Sequence, residues 1–313
     1  MLYRTLGRTG LEVSVLSFGA SPLGGVFREI VPGQGVLAVH TALDLGVNFI
    51  DVSPFYGLTK AETTLGNALR GIDRSRYYLA TKVGRYGHEM KDFDFTAARV
   101  TRSVDESLAR LGVDYVDIIQ CHDIEFGNLS QVVNETLPAL KKVVAAGKAR
   151  FIGITGLPLK VFPAVIDVAG GQVDTILSYC HYSMNDTALA GLLPYLQQKG
   201  LGIINASPLS MGLLSESGPP NWHPAPAEIR AACAKAAAFC KARGADIAKL
   251  AVQFAVAESR IATTLVGTAS PENIMRNVKW ISEPMDMELA AEVQKVLAPI
   301  HNKTWPSGRP ENN

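Results

Sequence analysis

Cysteine is scarce, with four in 313 residues: Cys121, Cys180, Cys233 and Cys240. None stands in a C-x-x-C spacing, so neither a disulfide framework nor a zinc ribbon is expected. Buried thiols in a reducing compartment are expected instead. Two cysteines precede histidine (Cys121-His122, Cys180-His181). Adjacent strand residues point to opposite faces, so each pair offers one ligand inward, and no metal site is expected. Charge is also sparse, at 19 % of residues with a net charge of +1. No lysine or arginine run stands out, which argues against nucleic acid or an anionic membrane as partner. The longest apolar runs are of strand length, far short of the roughly 20 residues that cross a bilayer. The opening MLYRTLGRTGLEVS lacks a basic stretch followed by an apolar core, so no secretory signal is expected and the cytoplasm is the expected location. Sequons at Asn128 and Asn185 mean little without that route.

What is present is an alternation. Hydrophobic residues make up 47 % of the chain, a globular composition. Eight short runs rich in Ile, Val and Phe recur: VLSFGA (15–20), NFIDVS (48–53), YYLATKV (77–83), YVDIIQCH (115–122), ARFIGITG (149–156), TILSYC (175–180), GIINAS (202–207) and TTLVGT (263–268). Segments with helical spacing separate them. TAARVTRSVDESLARLG begins at a threonine cap, ends at Gly112 and puts Val100, Val104, Leu108 and Leu111 on one face. NLSQVVNETLPALKKVVAAGK and DTALAGLLPYLQQKG have the same design, and two helical stretches precede the last run. The leading YRTLGRTGLEVS reads as a hairpin turning between Gly7 and Gly10. Eight strands alternating with helices allow a closed (β/α)8 barrel or a doubly wound sheet. The first run is followed by SPLGGVF, which lacks the G-x-G-x-x-G of a dinucleotide-binding sheet. The fold class is therefore α/β, a (β/α)8 TIM barrel with an N-terminal β-hairpin and C-terminal extra helices and tail, forming one domain over residues 1–313.

Catalysis in such a barrel sits at the C-terminal ends of the strands. The second run delivers Asp51 there, with Tyr56 on the loop beyond, the third Lys82 and the fourth His122. Each residue type has an ordinary structural use at a strand end. On three consecutive strands at one rim they form a proton-transfer set. A tyrosine with a pKa near 10 exchanges protons poorly at neutral pH. A neighbouring ammonium, Lys82, favours the phenolate, and Asp51 holds that ammonium charged. His122 is placed to orient the substrate oxygen or to share its proton.

In order and strand position, Asp51, Tyr56, Lys82 and His122 match the catalytic tetrad of the aldo-keto reductases, which the chain resembles over nearly its whole length. GVNFIDVSPFYG resembles that family's strand-2 signature, and FIGITG and NASPLSMGLL resemble its strand-5 and strand-7 motifs. Within the family, SFGASPLGGVF, DYVDIIQCHDIEFG, ILSYCHYSMND and the tail NKTWPSG resemble plant sugar dehydrogenases. That likeness implies NAD-linked oxidation of a free aldose at C1 to the lactone, on the route to ascorbate.

The resemblance also implies the cofactor contacts. Thr155 takes the usual serine position at the carboxamide, and Ser178 the usual glutamine position. Gly156 replaces an asparagine and Ala206 the stacking aromatic. Ser207 and Leu209 match the pyrophosphate loop. Gly267 and Asn273 lie where NADP-specific relatives place cations, and their lack of charge favours NAD; Thr268 is a further candidate cofactor contact. Arg276 is the one nearby cation, and Asn277 matches an adenine contact. Asp123, Glu125, His181, Tyr182 and Asn185 are candidates for sugar hydroxyls, and Trp305 for an apolar sugar face. Two other readings remain: an NADPH-linked carbonyl reductase of the same family, and a nucleotide-binding regulatory subunit with little turnover. The intact tetrad argues against the second.

Overall fold

The computed structural model describes residues 1–26, 31 and 33–313. Among these, every apolar run forms a strand. The hairpin consists of β1 (Tyr3–Thr5) and β2 (Glu12–Ser14), joined through a turn closed by Gly10 in the left-handed region. Then come β3 (Leu16–Gly19), β4 (Phe49–Asp51), β5 (Tyr78–Val83) and β6 (Val116–Cys121). They are followed by β7 (Ala149–Gly156), β8 (Thr175–Tyr179), β9 (Gly202–Ala206) and β10 (Thr263–Gly267). Strands β3 to β10 pair in parallel, and β10 returns to β3 to close an eight-stranded barrel. Closure leaves the barrel itself without an open edge. The segment SPLGGVF follows β3, and its last residue, Phe27, lies outside the described residues.

The strand period of two sorts the side chains. Phe49, Ala80, Ile118, Leu177, Ile204 and Leu265 pack together inside the barrel with Leu6, Leu11 and Val13 of the hairpin. The alternate residues Ile50, Leu79, Ile119, Ile154, Ile176 and Ile203 join the helices in the surrounding layer. The hairpin plugs the N-terminal end of the barrel. A Cβ on Gly202 would fall 2.7 Å from Leu6 Cγ, so only glycine admits that plug.

Helix Ala97–Leu111 follows its reading: Thr96 Oγ1 accepts from the Arg99 amide, Gly112 ends it with φ 68°, and Val100, Val104, Leu108 and Leu111 are buried. Two other segments differ from the uniform helix expected of them. Residues Val132–Thr136 widen into a π turn ahead of helix Leu137–Ala145. Pro138 has no N–H to donate, and its ring crowds the preceding turn, so the ladder shifts there. Likewise Ala188–Gly191 is a 3-10 turn, and a separate helix, Leu193–Gln198, begins around Pro194. The two helical stretches before β10 are Ala227–Lys241 and Ile247–Ala257. Among the described residues no helix is long and apolar enough to cross a membrane.

Candidate active site

The pleat that buries Phe49 and Ala80 inside the barrel also turns Asp51 and Lys82 inward, two residues further along β4 and β5. On β6 it separates Cys121, which packs in the helix layer, from Ile118, which faces the barrel. His122, one past Cys121, shares the inward side. Asp51, Lys82 and His122 are buried, with exposures of 3 %, 1 % and 4 %. Lys82 Nζ pairs with Asp51 Oδ1 and donates to the Val52 carbonyl at 3.0 Å and to Tyr56 Oη at 3.3 Å. The Tyr56 and His122 rings meet edge to face, 5.6 Å between centroids. All four residues read from the sequence therefore converge at one end of the barrel.

Electrostatics divide them. Burial disfavours the Lys82 ammonium, but Asp51 and Tyr56 outweigh it and its pKa rises. Burial raises the Asp51 pKa against the pull of Lys82 and Gln120. Tyr56 requires a correction. The expectation was a phenol made more acidic by Lys82; desolvation is the larger effect, and the Tyr56 pKa lies above its ordinary value, with Lys82 only limiting the rise. Burial pushes the His122 imidazole down to about 3, so it is neutral at working pH.

The His122 tautomer follows from its neighbours. Nε2 faces Asp123 Oδ2 at 3.7 Å, and Nδ1 lies 3.0 Å from Ser53 Oγ, which also accepts from the Phe55 amide at 3.1 Å. A carboxylate opposite Nε2 places the ring proton there, so Nδ1 accepts from the serine hydroxyl. Asp123 in turn pairs with Arg85, whose guanidinium lies 3.6 Å from the Phe55 ring centroid. Burial opposes the Asp123 charge, but His122 and Arg85 more than offset it and lower its pKa.

The sequence reading missed Ser53, Gln120 and Arg85. Gln120 donates to Asp51 Oδ2 at 2.7 Å. It was detectable as an amide inside an apolar run, two residues before His122 and so on the same face. Ser53 lies inside the quoted motif. Arg85 lies past the strand in a loop, where no period says which way a side chain turns.

The other expected contacts scatter. Thr155 Oγ1 is engaged by Asp123, accepting from its amide at 2.9 Å and donating to Oδ1 at 3.3 Å. Ser178 is fully buried between Leu177 and Tyr179 in β8; both of those belong to the barrel interior, so Ser178 faces the helix layer. Glu125 is fully buried, with Oε1 accepting from the Leu157 amide at 3.1 Å and from Ser307 Oγ at 2.9 Å. His181 pairs with Asp186 at 3.0 Å, and Asn185 Oδ1 accepts from Ser210 Oγ at 2.7 Å. Tyr182 is turned outward: it stacks on Phe254 at 5.6 Å and reaches Glu258. Trp305 is packed among Leu157, Leu213 and Ile300, edge-on to His223 at 4.9 Å. These packing contacts take Tyr182 and Trp305 away from the rim that the sequence reading gave them.

Beyond β9, Ser207, Ser210 and Met211 all take left-handed backbone (φ 58°, 46° and 52°), and Leu209 packs against the apolar layer. Gly267, the last residue of β10, is exposed, and the helix that follows, Pro271–Ser282, is capped by Ser270, whose Oγ accepts from the Asn273 amide at 3.1 Å. Thr268 Oγ1 accepts from Asn273 Nδ2 at 3.3 Å. Arg276 donates to Asn273 Oδ1 at 2.6 Å and lies 5.1 Å from the Trp280 ring, while Asn277 is buried. Among the described residues no cluster of His, Cys, Asp and Glu is placed to hold a metal ion.

A closed parallel barrel with a buried Asp–Lys pair, a tyrosine and a neutral imidazole at one end is an oxidoreductase site, and the chain belongs to the aldo/keto reductase family, whose model matches residues 15–298. It is 52 % identical to the L-galactose dehydrogenase of Arabidopsis thaliana over 99 % of this chain and 98 % of that one. D-Arabinose 1-dehydrogenase of Saccharomyces cerevisiae is 30 % identical over 74 % of each chain. Among solved structures, an aldo-keto reductase from Bacillus halodurans in its holo form superposes with a TM-score of 0.76 at 25 % identity, covering 98 % of both chains. The family works with a nicotinamide cofactor. The donors beyond β9 and β10 fit such a group: hydroxyls, amides and one guanidinium beside a capped helix N-terminus suit phosphate oxygens.

Proposed function

We propose that this protein oxidises a free aldose, L-galactose first among candidates, at C1 to the lactone, with NAD as acceptor and on the route to ascorbate. The observation that carries this reading is the 52 % identity to L-galactose dehydrogenase along essentially both whole chains. A bound nicotinamide would supply the acceptor for the C1 hydride. Tyr56, as phenolate, takes the hydroxyl proton. Lys82 stabilises that phenolate, Asp51 keeps Lys82 charged, and neutral His122 donates Nε2–H to the substrate oxygen. Asp123, with Arg85, flanks that oxygen and is the nearest acceptor for a further sugar hydroxyl. Thr155, Ser207, Thr268, Asn273 and Asn277 are the chain's candidates for holding the dinucleotide. NAD is favoured because Gly267 and Asn273 carry no charge, and because Asn273 and Trp280 already engage Arg276. Residues 1–313 act as one unit, and four free, buried cysteines support a cytoplasmic setting.

The test is a panel of aldoses, including L-galactose and D-arabinose, assayed with NAD and with NADP. Expected is lactone formation with L-galactose, faster with NAD than with NADP. Turnover only as an NADPH-linked carbonyl reductase, or none above background, overturns the reading.

A further inference from the structure

We propose that Gln120 is a positioning residue: its amide holds the second oxygen of Asp51, so that the Asp51–Lys82 pair stays charged beneath Tyr56. A carboxylate has two oxygens to satisfy. In Asp51 one is paired with Lys82 and the other accepts from Gln120 Nε2 at 2.7 Å. Asp51 is 3 % exposed and Gln120 is fully buried, so bulk water does not take the place of the amide. An ion pair this deep survives desolvation only when its remaining lone pairs are hydrogen-bonded.

The barrel register explains how the amide is placed. Lys82 pairs with Gln120 across β5 and β6, Gln120 with Gly153 across β6 and β7, and Gly153 with Thr175 across β7 and β8. One level of the barrel therefore reads Lys82, Gln120, Gly153, Thr175. A Cβ on Gly153 would fall 2.5 Å from Thr175 Oγ1 and 2.9 Å from Gln120 Cγ. The glycine leaves the space in which those two side chains meet. Gln120 Oε1 and Thr175 Oγ1 are both buried with no partner among the described residues. Two acceptors cannot face each other, so Asp51 Oδ2 fixes the amide with its NH2 toward the carboxylate and its oxygen away from it. The charged and titratable groups around Asp51 are Lys82 from β5 and Tyr56 from the loop after β4. Beyond them lie His122 and Asp123 from the end of β6, with Arg85 on Asp123.

The proposal rests on Tyr56 as the acid–base group and is tested in the full-length protein with Gln120→Met, which keeps the volume and removes the donor. Losing a hydrogen bond to a charged group should move the rising limb of the pH–kcat profile for L-galactose oxidation upward by about one to two pH units. That shift lowers kcat at pH 7 by roughly tenfold or more. KM and dinucleotide affinity should stay within about twofold, because the amide touches neither ligand site. The 13C shift of the Asp51 carboxyl, which needs no substrate, should report a raised pKa. A folded Gln120→Met protein with an unmoved profile and an unmoved Asp51 titration overturns the proposal, as does a loss confined to KM. If Gln120→Met does not fold, Gln120→Glu decides. Its neutral acid donates to Asp51 and its carboxylate repels it, so activity should fall as pH rises, and a wild-type profile overturns the proposal. Tyr56→Phe separates the two ideas. Full turnover in that variant removes the acid–base reading, whereas an inactive Tyr56→Phe beside unshifted Gln120 variants removes only the role of Gln120.

Discussion

The ends of β4 to β6 and the ends of β9 and β10 solve different problems with different materials. At the first, Asp51, Lys82 and His122 are charged or polar, buried and each partnered, Asp51 with Lys82 and His122 with Ser53. At the second, Ser207, Gly267, Asn273 and Arg276 are neutral or solvent-facing and lie on a loop, a strand end and the first turns of one helix. Removing water raises the energy of every charge, so a buried site works only if each group is paired. The surface proposed for the dinucleotide offers many weak, solvent-facing donors and has no such constraint. Single substitutions at the first region should therefore be severe, and at the second mild.

The largest effect is expected at Tyr56. Tyr56→Phe should lower kcat by about 10²–10⁴ with dinucleotide affinity unchanged, measured by steady-state kinetics and cofactor titration. Near-normal turnover would erase the contrast between the regions. Lys82→Met comes next. The Tyr56 pKa already lies above its ordinary value from burial, and Lys82 is the group restraining it. Removing the ammonium raises it further. In the oxidation direction, which needs the phenolate, activity should then be about 10–100-fold lower at neutral pH and recover only at higher pH. A profile that superimposes on the unmodified protein would refute this.

A smaller effect sharpens the comparison through stability. Burial and the nearby Asp123 push the Glu125 carboxyl up to about 8 from 4.5. Its folded-state pKa is raised, so its contribution is fully present below about pH 4.5 and is lost as pH climbs through 8. Glu125→Gln carries no such slope. The Tm difference between variant and unmodified protein should therefore grow in the variant's favour from pH 5 to pH 9, read by differential scanning calorimetry. A gap that stays flat with pH would show that the carboxyl is not titrating in the fold. The smallest effect is expected at Arg276, which is exposed and bonded to Asn273. Arg276→Ala should change NAD affinity by no more than about twofold, as for an exposed charge. A large loss of NADP affinity would mean that the guanidinium reaches a 2′-phosphate.

Sequence reasoning succeeded and failed along the same line. The eight strands and their inward residues were legible because a strand alternates its faces every residue, and the tetrad lies on strands or just past them. Helix ends were legible at Thr96 and Gly112, where a cap and a left-handed glycine have local causes. The interruptions at Pro138 and Pro194 were visible as residues but were read as continuous helix. Tyr182 and Trp305 were misplaced because each lies in irregular chain, where the direction of a side chain is set by what it packs against.

By itself the sequence determined the barrel, through eight apolar runs alternating with helical segments, and which end of it carries Asp51, Tyr56, Lys82 and His122. Only the tertiary structure decided that burial outweighs the pull of Lys82 and raises the Tyr56 pKa, that Gln120 and Ser53 hold Asp51 and His122, and that Arg85 folds back onto Asp123. Each of these depends on distances between residues far apart in the chain. Desolvation and Coulomb energies depend on those distances and on the water excluded between them, and neither is a property of any residue's neighbours in sequence.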